Sequence, residues 1–237
     1  MKDKQSITST ENKALLDFFL SFVSERRKKN FEEKIQSRTK HITLVLENIY
    51  QPHNASAVLR TCDCFGIQDV HIIENRNRYQ VNPDVALGSS KWLTLSKYNS
   101  GAGSTKECLM RLKEEGYRLI ATTPHQNDYT PDTLPLEEKT ALIFGTELSG
   151  LTDDALSLSE KYIRIPMVGF TESLNISVSA AILLYRLSSR LRESDIPWQL
   201  TGDEKIAVML DWARNSVKKS DLLEKTFLEK MAPEGKK

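Results

Sequence analysis

Three short runs of this chain place carboxamides, hydroxyls, carboxylates and an arginine where loops leave apolar, strand-like segments. Loops at the carboxyl ends of parallel strands line ligand crevices, and the helix that follows offers free backbone N–H groups to an acceptor or anion. The first run follows residues 42–47 and contains Glu47, Asn48, His53, Asn54, Ser56 and Arg60. Asn54 suits a helix N-cap, and Arg60 stands in the apolar stretch VLRTCDCF, where Asp63 at i+3 offers an ordinary ion-pair partner. The second run is FGTELSGL: Gly145 and Gly150 permit tight turns, Glu147 brings an acceptor to the same mouth, and Thr152 caps the next helix. The third lies within Tyr162 to Tyr185, where apolar Ile163 to Met167 gives way to Gly169, Thr171, Glu172, Ser173 and Asn175, followed by a helix. A capped helix with a solvated loop before it explains the third run equally well.

The elements that must position these groups alternate along the chain. Strands are expected over 42–47, 69–74, 92–95, 117–123, 141–144 and 162–167, with helices over 54–65, 104–116, 177–192 and a short one after Thr152. Gly66 and Gly116 end two of the helices. Strand, helix, strand with buried Ile, Leu and Val predicts an α/β fold, a mostly parallel sheet with helices on both faces. Before it, Leu15, Leu16, Phe18, Phe19, Phe22 and Val23 recur at helical spacing. After DIPWQLTGD, a linker with Pro197 and Gly202, a helical stripe restarts through Ile206, Met209, Trp212, Ala213 and Val217. The expected organisation is a helical N-terminal arm (1–40), a central domain (41–193) and a helical C-terminal extension (194–237).

The 237 residues are 39% hydrophobic and 27% charged, enough to bury a sizeable core. Thirty-three Lys plus Arg against thirty-two Asp plus Glu leave a formal net charge of +1, so overall charge does not point to nucleic acid. Its distribution is more telling: RRKKNFEEKIQSRTK begins with Arg26, Arg27, Lys28 and Lys29, and Lys218, Lys219, Lys225, Lys230, Lys236 and Lys237 load the far end. Such runs are solvated faces or phosphate contacts. No apolar run reaches the roughly 18 residues that span a bilayer, and the first residues lack the apolar stretch of a signal peptide, which predicts a cytoplasmic protein without membrane partners. Three cysteines, two of them Cys62 and Cys64 in one helix, have no metal-ligand spacing. Gly101-Ala102-Gly103 lacks the third glycine of a phosphate cradle and reads as a turn.

NASAVLRTCDCFG, LIFGTELSGL and IPMVGFTESLNISVSAAILLY resemble, in order and spacing, the three motifs of SPOUT-class RNA 2′-O-ribose methyltransferases, and within them the TrmH-type tRNA guanosine methyltransferases. The resemblance runs from residue 42 to about 190 and implies a C-terminal trefoil knot, a departure from the usual un-knotted connections. It further implies a homodimer with sites near the subunit interface, S-adenosylmethionine as cofactor, and no metal. By position, Thr122, Thr123, Gly145, Ile165, Met167 and Leu174 would contact the cofactor. Asn54 would orient the ribose or Arg60, Glu147 would fix loops at the cofactor mouth, and Ser173 with Asn175 would bind the target phosphate or the catalytic arginine. Arg60 takes the general-base role in the resemblance, which asks a guanidinium, protonated at ordinary pH, to be neutral through desolvation and a neighbouring cation; the alternative is that it holds the target phosphate while water accepts the proton.

The implied reaction is 2′-O-methylation of the D-loop guanosine at tRNA position 18, with Arg26, Arg27, Lys28 and Lys29 contacting RNA. Ribosomal-RNA members of the class usually carry a larger domain ahead of the knot, and forty residues do not make one. The alternatives are an rRNA enzyme of the same class and a catalytically silent RNA-binding dimer.

Overall fold

Every residue of Ile42–Glu47 is buried, a pattern required of a central parallel strand with helices on both faces. The computed structural model describes residues 9–49, 51–75, 86, 88–101, 103–126, 128–147 and 149–231. Lys236 and Lys237 lie outside the described residues. The strands are β1 (Ile42–Glu47), β2 (Asp69–Ile73), β3 (Thr94–Tyr98), β4 (Arg118–Thr122), β5 (Thr140–Phe144) and β6 (Lys161–Ile163). The helices are α1 (Ser9–Leu20), α2 (Glu25–Ile35), α3 (Pro52–Cys64), α4 (Ser104–Glu114), α5 (Asp153–Leu158), α6 (Ile176–Glu193), α7 (Gly202–Ser216) and α8 (Ser220–Met231).

All six strands join one sheet in the order β3-β2-β1-β5-β4-β6, every pair parallel. Leu44 stands between Val70 of β2 and Leu142 of β5, which fixes the register at the centre. Alternate side chains then serve two cores. Ile42, Leu44 and Leu46 pack with Val58 and Leu59 of α3 and Leu183, Leu184 and Leu187 of α6. Val45, Ile143 and Leu119 pack with Leu109 and Leu112 of α4 and Ala155 of α5. The chain runs outward from β1 through β2 to β3, while β5 and β4 lie on the other side. The β1/β5 boundary is therefore the point where strand order reverses and crevices form.

Three expectations need correction. The last strand stops at Ile163, although the apolar run continues to Met167, because Ile165-Pro166 turns the chain out of the sheet after one short pairing with β4. The strand expected over 92–95 sits later, at β3, because Ser89–Lys91 and Trp92 form a 3₁₀ turn. Helix α3 begins at Pro52 with Gln51 at its N-cap, so Asn54 lies in the first turn and does not cap it.

The chain divides into two compact units, Thr39–Gln199 holding the sheet, and Met1–Arg38 together with Leu200–Lys237. In the second of these, α1 and α2 pack against α7: Phe31 lies 5.5 Å from the Trp212 ring, and Arg38 stacks over the same indole. Thr201 and Glu204 form a capping box at the start of α7, and Arg214 makes a two-pronged ion pair with Glu224 of α8. No helix among the described residues is long and apolar enough to cross a membrane.

Candidate active site

Past the ends of β4, β5 and β6 opens a cavity of about 660 Å³. Thr122 and Thr123 leave β4, Gly145 leaves β5, and Ile165 and Met167 follow β6; Leu174 precedes α6. All six line this cavity, together with Glu147, Ser173 and Asn175. Thr122 is held by its hydroxyl, which donates to the Ile143 carbonyl at 2.8 Å.

Gly145 is needed for space. A Cβ built on it would stand 2.2 Å from the carbonyl carbon of Gly150, because Thr146 and Gly150 exchange backbone hydrogen bonds and fold the loop back over it. Gly150 completes the turn with φ +66°, a conformation that suits glycine. The loop is anchored from below by Glu47, buried at the end of β1. Its carboxylate accepts from the Thr152 N–H at 2.9 Å, the Thr152 hydroxyl at 2.7 Å and the Thr105 hydroxyl at 2.5 Å. Thr152 in turn caps α5.

Asn54, Glu147 and Asn175 meet although they are as much as 121 residues apart. The Asn54 Nδ2 donates to Glu147 Oε1 at 2.8 Å, the Asn175 Nδ2 donates to the same oxygen at 2.5 Å, and also to Asn54 Oδ1 at 3.1 Å. Asn54 Nδ2 has a further acceptor in Gln51 Oε1, 3.0 Å away, which the sequence did not single out. Asn175 also caps α6, its Oδ1 accepting from the Ser177 N–H at 2.8 Å and hydroxyl at 2.6 Å. The network ties the start of α3, the loop after β5 and the start of α6 into one rim. Asn54 is buried while its two partners are exposed.

Arg60 is on α3 but is not among the residues lining the cavity. It is exposed, and among the described residues it forms neither the ion pair with Asp63 nor any hydrogen bond. Ser173 lines the cavity, is exposed and likewise has no hydrogen-bond partner there. Arg26, Arg27, Lys28 and Lys29 lie on α2, in the other unit; three are exposed, and Lys28 is bound to Glu25 at 2.6 Å. Leu148 lies outside the described residues.

Two cavity residues, Arg164 and Glu172, were not assigned roles from sequence. Arg164 sits between inward-facing Ile163 and Ile165 at the end of the last strand, and that alternation was the available signal.

Comparison with known proteins gives four results. The family described as "SpoU rRNA Methylase family" matches residues 41–185. A "tRNA (guanosine(18)-2'-O)-methyltransferase" of Borreliella burgdorferi is 41% identical over 203 residues, covering 86% of this chain and 91% of that protein. The A. aeolicus TrmH/SpoU tRNA modifying enzyme superposes with a TM-score of 0.72 at 28% identity, covering 82% of this chain and 98% of that one. The SpoU methyltransferase AviRb of Streptomyces viridochromogenes, solved in complex with the cofactor AdoMet, has the same fold at 20% identity and a TM-score of 0.58, covering 68% of this chain and 65% of that one.

Proposed function

This chain belongs to the SpoU rRNA Methylase family, and from that premise we propose that it methylates the ribose 2′-hydroxyl of guanosine 18 in tRNA with S-adenosylmethionine as donor. The observation that carries this reading is the convergence of all six expected cofactor residues on one cavity whose rim is closed by Asn54, Glu147 and Asn175.

The cavity fits the donor in size and chemistry. Ile165, Met167 and Leu174 offer apolar surface to an adenine, and the backbone at Thr122, Thr123 and Gly145 offers polar atoms to its edge. When bound, S-adenosylmethionine supplies a methyl group made electrophilic by its sulfonium. The protein's task is to align the ribose hydroxyl and help remove its proton. Asn54, Glu147 and Asn175 hold the three loops at the mouth in register. With the polar atoms of Asn175 already engaged, Ser173 is the freer ligand for the target phosphate. Arg60 acts on the acceptor as base or as phosphate clamp, and its guanidinium fork suits the second role.

The active form is a homodimer. Val178, Ile182 and Tyr185 make an exposed apolar stripe at helical spacing on α6, and Val168 and Phe170 are fully exposed on the loop before it; both suit burial against a second copy. A site built near that interface accounts for an arginine that does not line the cavity of its own chain. The loops after β5 and β6 suit the trefoil knot of the class. Arg26, Arg27, Lys28 and Lys29 add salt-sensitive phosphate contacts. The enzyme works in the cytoplasm on tRNA.

The test is methyl transfer from labelled S-adenosylmethionine to separate pools of unmodified tRNA and rRNA. Label in tRNA is the expected result, and label in rRNA alone overturns the substrate.

A further inference from the structure

A second cavity of about 370 Å³ shares Pro124, His125, Arg164, Ile165, Met167 and Glu172 with the first. Its size is that of a small-molecule subsite. Two opposite charges line both cavities without meeting each other. Arg164 is half-buried, its Nε is fully enclosed without an acceptor, and it forms no ion pair among the described residues. Glu172 is exposed and equally without a partner. Opposite charges eight residues apart that do not pair leave a donor fork and an acceptor pair available to one ligand.

We propose that this second cavity reads the target base as guanine, Arg164 donating to its O6 and N7 and Glu172 accepting from its N1–H and N2 amino group. The inference rests on the proposed function and deepens it by assigning base selection to the chain. Guanine presents two adjacent acceptors on one edge and two adjacent donors on the next, the complement of a guanidinium and a carboxylate. Adenine reverses the polarity at both positions facing those groups: its N6 amino group would meet Arg164, and its unprotonated N1 would meet Glu172. The shared wall of the two cavities then sets the base beside the donor that methylates its ribose. Pro166, Gly169 and Thr171, all uncharged, complete the lining.

The test uses the full-length protein and tRNA transcripts with guanosine, inosine or 7-deazaguanosine at position 18. Inosine lacks the N2 amino group and 7-deazaguanosine lacks N7. The wild type is expected to lose about ten- to a hundredfold in kcat/KM on inosine, and a comparable factor on the deaza base. Glu172→Gln should be slower on guanosine and bring the guanosine-to-inosine ratio close to one. Arg164→Met should erase the penalty of the deaza base alone. Each ratio is taken within one preparation, so a partly unfolded variant does not distort it. Equal wild-type rates on guanosine and inosine, or ratios unchanged in the variants, would each overturn the inference while leaving the proposed function intact. A wild type that leaves the guanosine transcript unmethylated would instead overturn the proposed function, and this inference with it.

Discussion

Asn54 spends its carboxamide on three partners while lying buried at the rim, so its loss would leave Glu147 and Asn175 to water and each other. Because those partners are exposed and can be resolvated, Asn54→Ala should cost about 1–2 kcal/mol in urea unfolding, the lower part of the range for a lost buried hydrogen-bonding group. Cofactor affinity should fall with it, since the rim would no longer be held. Arg60 is the opposite case. Exposed on α3 and unpaired among the described residues, it contributes little to stability, so Arg60→Lys should unfold at the wild-type midpoint and bind S-adenosylmethionine normally. Turnover should nevertheless drop about 10²- to 10⁴-fold, since lysine cannot reproduce the bidentate fork or stand in as the same base. Wild-type turnover by that variant would remove Arg60 from the reaction.

At the scale of elements, the loop after β5 depends on the missing side chain at Gly145, whose place the Gly150 backbone takes. Gly145→Ala places a methyl group 2.2 Å from the Gly150 carbonyl carbon, and backbone must move to admit it. The expected result is a loss of about 1–3 kcal/mol of stability with a marked loss of cofactor binding, read by thermal unfolding with and without S-adenosylmethionine. An unchanged cofactor-induced shift would mean that the loop does not touch the donor. This loop also shows how far the sequence carries. FGTELSGL announced a tight turn and a carboxylate, but not that Glu47, over a hundred residues away, anchors it through Thr152. Central strands were legible because residues buried on both faces leave an unbroken apolar run, as in β1 and β5. The edges were not: β6 is cut short at Ile163 and β3 is displaced to Tyr98, since pairing at an edge is decided by a neighbour and a turn more than by local hydrophobicity. Asn54 was legible as a site residue and misplaced as a cap, because Pro52 starts α3 earlier than the apolar pattern does. The alternation through Ile163 and Ile165 marks Arg164, but nothing in the sequence brings Glu172 to the same cavity.

For the whole molecule, the sheet's far face carries a pH dependence of stability. His71 of β2 is buried beside Tyr98, 3.3 Å from its hydroxyl, and burial pushes its pKa down to about 4; Glu115 opposes this and Arg111 reinforces it. Burial likewise raises Tyr98 to about 12. In the unfolded chain His71 takes a proton near its ordinary value of 6.5, but the folded protein refuses it until about pH 4. The stabilisation is therefore complete above pH 6.5 and is lost as pH falls from there, the loss reaching about 3 kcal/mol by pH 4. Urea midpoints across that window should fall steeply in the wild type and less in His71→Gln; parallel curves would exclude His71 as the cause. Association should follow the apolar stripe on α6, so Ile182→Asp is expected to shift the protein from dimer to monomer in sedimentation and to abolish transfer. The central claim joins cavity, rim and RNA in one reaction, and mass spectrometry of nuclease fragments tests it most directly. After incubation of an unmodified tRNA transcript with the protein and S-adenosylmethionine, the account predicts one added methyl on the ribose of guanosine 18 and none with Arg60→Lys. A methyl on a base, on another nucleotide, or on no nucleotide would contradict it.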